Sequence, residues 1–497
     1  MLLNRRQMLT ATAALTAGSA MRVTAAAEVP PSADAAPAAI PVTARIVDFA
    51  RSLTFEQLPS EVVAAAKRYV LDGLGCGVAG IHTEKGRLAV GLVTSLGGTP
   101  EARVLGTTAR LSATGAAFAN AELINALDFD AVPHIPPIAI PSVLAVAEKM
   151  RASGRQFITA LVVAHEIAAR LWKASSQMSA TVAQTGRTPE VFAINQESII
   201  ACAAGIANLL ALTETQTAHA MGLAGYYCPP QASHYWETGT PKSMVKYTPV
   251  GWVSQGAVTA ALLAQAGFTA ATDILDDEGF AKFYGLRNWR PEGAIDALGS
   301  DWRILSMNYK PHACCGFLHS QIDCMVELVR EHGLEPGEIE SIHSLSMPFV
   351  ANPDQMNVRT QEDAQFSIPY MLAVAAHGLP TDATCQLPER LNDPAIRATM
   401  KKITWGTHPE AAATKRANPQ SFLARVEVRA RGRSFVKERL YAKGGAALPM
   451  SDAELEEKFV RNVAGVLTSA AASRAGELID ALEKLEDVSE LSSALSG

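Results

Sequence analysis

Three separated stretches bring together side chains able to carry protons or hold an anion. The first runs Asn125-Ala126-Leu127-Asp128-Phe129-Asp130-Ala131-Val132-Pro133-His134 and leads into an apolar segment from Pro141 to Glu148. A helix end with two carboxylates, a loop histidine and a fresh helix together form the pattern of a cleft wall, and histidine titrates nearest neutrality. Short acidic side chains in such a place also cap and brace loops. That plainer role is the expectation for Asp130, while Asp128 is open to either. The second stretch, Lys242 to Trp252, sets Lys246 and Tyr247 shortly before a helix. Backbone N–H groups at a helix start favour an anion, and a lysine there adds a full charge; the commoner fate of a lysine is a solvated surface. The third stretch, Tyr309 to His319, holds Lys310, His312, Cys314, Cys315 and His319 ahead of a helix through Asp323. His319 is open equally to packing and to ligand contact.

The elements that must position these residues are mostly helices. From about Ala44 to Tyr284 apolar residues recur at helical spacing, as in Val62 to Val70, Phe157 to Trp172, Ser198 to Leu212 and Val253 to Ala266. Thr213 with Gln216 forms a capping box, each side chain able to satisfy the other's free N–H. Alanine dominates these segments, which suits close helix packing in a large bundle. After about Asn288 the pattern changes. Glu340 to Met347 and Arg425 to Arg429 alternate like half-buried strands, and Gly432 separates the latter from Ser434 to Tyr441 as a hairpin would. Helices intervene at Leu318 to His332 and Ile368 to His377, and a second capping box at Ser451 and Glu454 opens a return to helix. The expectation is a mainly α protein: an all-helical domain over 43–287, completed by 451–497, and a smaller α+β domain over 288–450.

Two tempting patterns fail on context. Gly75-x-Gly77-x-x-Gly80 matches the dinucleotide fingerprint, but a helical run precedes it and no βαβ unit follows, so close helix packing is the better reading. Cys314, Cys315, His312 and His319 lack the paired spacing of a zinc site. Neither a nucleotide cofactor nor a metal is expected.

At 497 residues the chain is long enough for two domains, and 48% hydrophobic with 19% charged residues is ordinary for a globular protein. A net charge of −6 gives no general attraction to nucleic acid or anionic lipid. Seven cysteines without a CxxC pair do not make a disulfide scaffold. Asn4-Arg5-Arg6-Gln7-Met8-Leu9-Thr10, a short apolar stretch and small residues near Val23 to Ala27 have the form of a twin-arginine export signal, with 1–42 as signal and Ala/Pro-rich leader. The apolar stretch is too short to span a bilayer. A periplasmic or secreted protein with no membrane association after cleavage is expected.

Leu71-Asp72-x-Leu74-Gly75, Asn125 to Glu148, Leu161 to Leu171, Lys246 to Gly256, Ala261 to Thr269, Gly279-Phe280, Lys310 to Asp323 and Gln365 to Tyr370 occur in an order that resembles the MmgE/PrpD family. The resemblance covers roughly Ala44 to Leu491. It implies an all-helical domain with a smaller α+β domain, a homodimer, and carbanion chemistry beside a carboxylate without cofactor, as in 2-methylcitrate dehydratase, cis-aconitate decarboxylase and iminodisuccinate epimerase. Asp128, His134 and Lys246 match family active-site positions, and Cys315 falls where some members carry a catalytic histidine. Phe192 stands where the family usually has the histidine of a His-Pro motif, and the loop from Asp130 to His134 is shortened and lacks the usual threonine. Arg187 and Tyr247 are candidates to take over roles. The resulting expectation assigns His134 as acid/base, Lys246 as carboxylate binder and enediolate stabiliser, and Asp128 as the residue that orients them. Lys310, His319, Cys315, Tyr247, Phe192 and Arg187 would contact substrate. A hydro-lyase acting on a small carboxylate leads; a decarboxylase, an epimerase or an inactive periplasmic carboxylate-binding relative are the alternatives.

Overall fold

The computed structural model describes residues 40–175, 192, 194–276, 279–285 (backbone alone at Phe283), 289–348 and 354–497. The export signal with Arg5 and Arg6, and Arg187, lie outside the described residues.

Alanine-rich, apolar periodicity becomes a helical bundle. Its main members are α1 (Ser60–Gly80), α2 (Ala113–Asn125), α3 (Pro136–Met150), α4 (Gly154–Ser175), α5 (Ser198–Leu209), α6 (Glu214–Tyr227), α7 (Ser233–Thr238) and α8 (Val250–Gln265). Every residue of α3 from Pro136 to Glu148 is buried, as expected of a helix that is apolar all round and sits at a core's centre. The first capping box is formed: Thr213 Oγ1 accepts from Gln216 N at 3.3 Å, and Gln216 Oε1 accepts from Thr213 N at 3.1 Å. The fingerprint glycines lie inside α1. A Cβ on Gly80 would stand 2.2 Å from the Leu123 carbonyl oxygen, one on Gly77 2.6 Å from Leu105, and one on Gly75 3.0 Å from Phe459. Their function here is to let other segments touch α1. A short antiparallel pair, Ala102–Arg103 with Arg110–Leu111, interrupts the helices; two-residue strands leave no alternation for a sequence reading to find.

The smaller part contains α9 (His319–His332) and α10 (Ile368–Ala376) against a four-stranded sheet of β1 (Ile339–Ser346), β2 (Ile403–Thr407), β3 (Ala424–Ala430) and β4 (Arg433–Arg439). The strand order is β2-β1-β3-β4. Ile342 lies opposite both Ile403, in the parallel β1/β2 pair, and Val428, in the antiparallel β1/β3 pair. The β3–β4 hairpin turns on Arg431 and Gly432, with φ of 56° and 64°. Paired positive φ values match a turn whose twist suits a hairpin. Strand β2 goes beyond what the sequence pattern indicates. It joins parallel to β1, a pairing that needs a long crossover rather than a tight turn, so no local signal announces it.

Two hydrophobic cores result. The larger spans Val42 to Ala313 and is joined by Leu455 to Leu495; the smaller spans Cys314 to Phe435. The protein is thus mainly α with a smaller α+β part. The second capping box starts α11 (Asp452–Val463), which returns to the larger core and packs along α1. Among the described residues, no helix is long and apolar enough to cross a membrane.

Candidate active site

The C-terminal end of α2 is where the two cores meet. A helix leaves its last carbonyls without partners, and from Asn125, the last residue of α2, through the loop to Phe129 five consecutive carbonyls each receive a side chain. Asn125 O accepts from Lys246 Nζ (2.9 Å), Ala126 O from Gln365 Nε2 (2.8 Å) and Leu127 O from Gln386 Nε2 (2.8 Å). Asp128 O accepts from Lys310 Nζ and Phe129 O from Lys458 Nζ, both at 2.7 Å. The Lys246 ammonium thereby meets the last carbonyl of α2, at the negative end of the helix dipole, and Lys310 and Lys458 meet carbonyls of the loop that follows.

Asp128, in the left-handed region at φ 52°, turns its carboxylate into the same cluster. Oδ1 accepts from Lys246 Nζ at 2.9 Å and from the Tyr247 hydroxyl at 3.0 Å, and Oδ2 accepts from Lys310 Nζ at 2.9 Å. Burial alone would raise the Asp128 carboxyl, but Lys246, Lys310 and His134 outweigh it and hold it well below the usual range. The two lysines part company. Burial pushes Lys246 below its ordinary value against the pull of Asp128, helped by the neighbouring Lys85 ammonium. For Lys310 burial also opposes the charge, but Asp128 and Asp130 more than compensate and raise it. Lys85 itself donates to Asn125 Oδ1 at 2.8 Å and pairs with Glu122 at 2.9 Å, while Glu122 Oε1 accepts from Gly251 N. Those contacts tie α2 to the start of α8.

His134 completes the group. Its Nδ1 lies 2.7 Å from Asp130 Oδ2 and its Nε2 3.9 Å from Asp128 Oδ1. Burial would raise the Asp130 carboxyl, yet His134 and Lys310 prevail and lower it. An ionised carboxylate only accepts, so the neutral imidazole carries its proton on Nδ1 and leaves Nε2 as the working nitrogen. The His134 side chain is 14% exposed against 3% or less for Asp128, Lys246 and Lys310, which makes it the most open of the four. Tyr247, Trp236 and Phe366 form a small apolar cluster beside these groups, with Cys315 and Ile194 packed on it. Among the described residues, no three His, Cys, Asp or Glu side chains are grouped as metal ligands.

Residues 44–290 match the MmgE/PrpD N-terminal domain and residues 312–484 the MmgE/PrpD C-terminal domain. The chain belongs to the MmgE/PrpD family. It is 26% identical over 485 residues to the cis-aconitate decarboxylase-like protein oryM of Aspergillus oryzae, covering 91% of this chain and 96% of the relative. It is 26% identical over 485 residues to a cis-aconitate decarboxylase of Aspergillus terreus, covering 90% and 94%. It is 25% identical over 465 residues to the cis-aconitate decarboxylase of Homo sapiens, covering 88% and 91%.

The structure gathers Asp128, His134, Lys246, Tyr247 and Lys310, from three distant stretches of this MmgE/PrpD chain, around one carboxylate. Lys246 reaches across to the end of α2. Its ammonium is turned to Asp128 and to the end of α2, because a buried charge is held where a counter-charge and carbonyls await it. Cys315 borders the site on the apolar side, and burial pushes its thiol up to about 12, so it stays protonated at neutral pH. His319 is buried with Nε2 3.3 Å from Cys314 O and its ring 5.0 Å from His312. Burial holds it well below the ordinary histidine range, which makes it a neutral packing group. Phe192 is buried and bridges Ala232 through the backbone. The residue after Ala232, Ser233, donates to Tyr247 O at 2.7 Å. Asp130 is more than the loop brace expected of it, because its carboxylate orients His134. The signal for this in the sequence is the i, i+4 spacing of the two residues. Nothing local marks Gln365, Gln386 or Lys85, since their partners are distant in sequence.

Proposed function

We propose that the protein is a lyase that decarboxylates a small polycarboxylate through an enediolate-type carbanion, with cis-aconitate the first compound to test. The observation that carries this reading is the pair of buried ammonium groups on Asp128. Lys246 spends two N–H bonds on Asn125 O and the Asp128 carboxylate, Lys310 spends two on the carbonyl and carboxylate of Asp128, and an ammonium has three. The third N–H of each is a donor for a substrate carboxylate. When a C–C bond to a departing CO2 breaks, its electron pair spreads into a neighbouring carboxylate, and the two ammonium groups stabilise that charge as it develops. His134 then gives one proton from Nε2 to the carbon and recovers it from solvent through its open edge. The proton given is the one on Nε2 of the doubly protonated ring, whose Nδ1–H stays on Asp130.

The relatives called cis-aconitate decarboxylases, which align with this chain along nearly their whole length, give further support. Dehydration, the first expectation from sequence, is the second reading. Burial keeps the Tyr247 phenol protonated, and its ring lies 4.9 Å from that of His134, so a hydroxyl-bearing substrate would find a second proton donor. The test is incubation of purified protein with cis-aconitate or with 2-methylcitrate in heavy water, followed by NMR and CO2 release. Stoichiometric CO2 from cis-aconitate with one deuterium added to carbon is the expected result. Water loss from the hydroxy acid without CO2 would move the assignment to dehydration. Absence of turnover and of deuterium exchange would leave only a carboxylate-binding protein. We also propose export by the twin-arginine route on the strength of Arg5-Arg6 and the stretch after it. Full-length protein found only in the cytosol of fractionated cells would reject that.

A further inference from the structure

We infer that Lys458, carried by helix α11, is a positioning residue that sets where Asp130 holds His134. Lys458 lies two helical turns beyond the Ser451 cap and is 1% exposed. Its ammonium donates to Asp72 Oδ1 at 2.6 Å and to Phe129 O at 2.7 Å, and stands 3.9 Å from the centre of the Phe129 ring. The other oxygen of Asp72 accepts from Ala131 N at 3.1 Å. The ion pair therefore grips the backbone on both sides of Asp130, by the carbonyl before it and the N–H after it. The neighbouring residues are held as well. Asp128 O is bonded to Lys310, and Val132 exchanges both backbone bonds with Asn308, at 2.9 and 3.0 Å. With 128, 129, 131 and 132 all fixed, Asp130 has little freedom to move its carboxylate, and that carboxylate is what aims the imidazole.

A pair that served stability alone could bond anywhere in the core. This one spends both of its outer contacts on the two peptide units that flank the orienting aspartate. The chemistry also explains the choice of lysine, since one compact ammonium can reach a carboxylate and a carbonyl together while a planar guanidinium cannot be superposed on it. The inference rests on the reading of His134 as the proton carrier, and the experiment separates the two.

Full-length protein with selectively 15N-labelled histidine would be compared as wild type, Lys458→Met, Asp72→Asn/Lys458→Met and Lys458→Arg, with the His134 signals assigned by His134→Gln. Lys458→Met alone strands a buried carboxylate and should lower the melting temperature sharply. The double variant removes the stranded charge and should recover most of that loss. Its His134 tautomer signals and titration midpoint should nevertheless move away from wild type, and kcat on cis-aconitate should fall roughly 10- to 100-fold with little change in KM, the scale of a misplaced catalytic group. Should the double variant fail to fold, Lys458→Arg keeps the charge and is expected to fold with a displaced His134 resonance. Either folded variant showing wild-type His134 signals would overturn the inference and leave the pair as a purely structural one. A wild type inactive on cis-aconitate would refute the proposed activity while the resonance comparison still decides the positioning role.

Discussion

Asp128→Asn is the sharpest perturbation of the site because it changes one charge and almost no volume. In the wild type one carboxylate serves two buried ammonium groups, each at 2.9 Å. The amide keeps one acceptor and turns an NH2 toward a lysine that can only donate. Removing one partner of a buried pair costs about 3–5 kcal/mol. Two ammonium groups left about 6 Å apart would also repel by roughly 3 kcal/mol at an effective dielectric constant of about 20. These effects overlap, since both describe charge without compensation, so the expected loss is about 3–5 kcal/mol. The coupling has an unusual sign. Adding Lys246→Met to Asp128→Asn removes one stranded charge and should restore part of the stability, whereas independent defects would add.

The pH dependence follows from the same groups. The Asp128 carboxyl is held below the usual range, so its contribution is complete above the unfolded carboxyl value of about 3.9 and is lost as pH falls through the folded one. In the variant, Lys246, already pushed down by burial, loses its main support and falls further. The unfolded chain then binds more protons than the folded one from that lowered value up to about 10.4, and stability rises with pH across this window. The penalty of Asp128→Asn should accordingly be smaller at pH 9 than at pH 7. Melting temperature and denaturant titration, read separately for the two cores where their transitions differ, measure all three quantities. A variant within about 0.5 kcal/mol of wild type, or a double variant less stable than Asp128→Asn, would refute the idea that one carboxylate neutralises both lysines.

Three further outcomes are expected. His134→Ala leaves the buried Asp130 carboxylate without its partner and should lower the melting temperature while still folding, and it should lose about 10²-fold or more in turnover on the true substrate. Glu197 is buried with Oε1 unpartnered, and burial pushes its carboxyl up to about 7; a raised carboxyl costs stability once the folded group must ionise, so Glu197→Gln should stabilise by up to about 3 kcal/mol at pH 8 and by little at pH 5 in a melting series. Gly80→Ala would force a Cβ to within 2.2 Å of the Leu123 carbonyl oxygen, and should destabilise by about 1–3 kcal/mol in denaturant titration while a dinucleotide fails to bind wild type and variant alike.

What a sequence can reveal depends on whether the deciding interaction is local. The capping boxes at Thr213 and Ser451 are contacts three residues long, and both helices start where they indicate. The hairpin at Gly432 is readable for the same reason. The fingerprint glycines can be set aside from sequence because what precedes them is also local. Strand β2 escapes such a reading because its partner β1 lies about sixty residues away through a crossover, and a five-residue alternation ending in Gly-Thr carries no direction.

The site divides along the same line. Asp128, His134, Lys246 and Lys310 are identifiable as residue types able to do chemistry, but the reason they converge is not written in any side chain. It lies in the carbonyls of residues 125 to 129, which every amino acid possesses and which attract Lys246, Gln365, Gln386, Lys310 and Lys458 from across the chain. The same bonds decide how Phe192 should be understood. Phe192 is a buried ring beside the segment that holds Tyr247. Among the described residues around Asp128, burial holds Cys315 as a thiol and Tyr247 as a phenol, able to donate a proton but not to take one from carbon, and holds His319 neutral and turned to Cys314. In the proposed reaction the proton for carbon comes from His134, whose ring Asp130 holds through Nδ1.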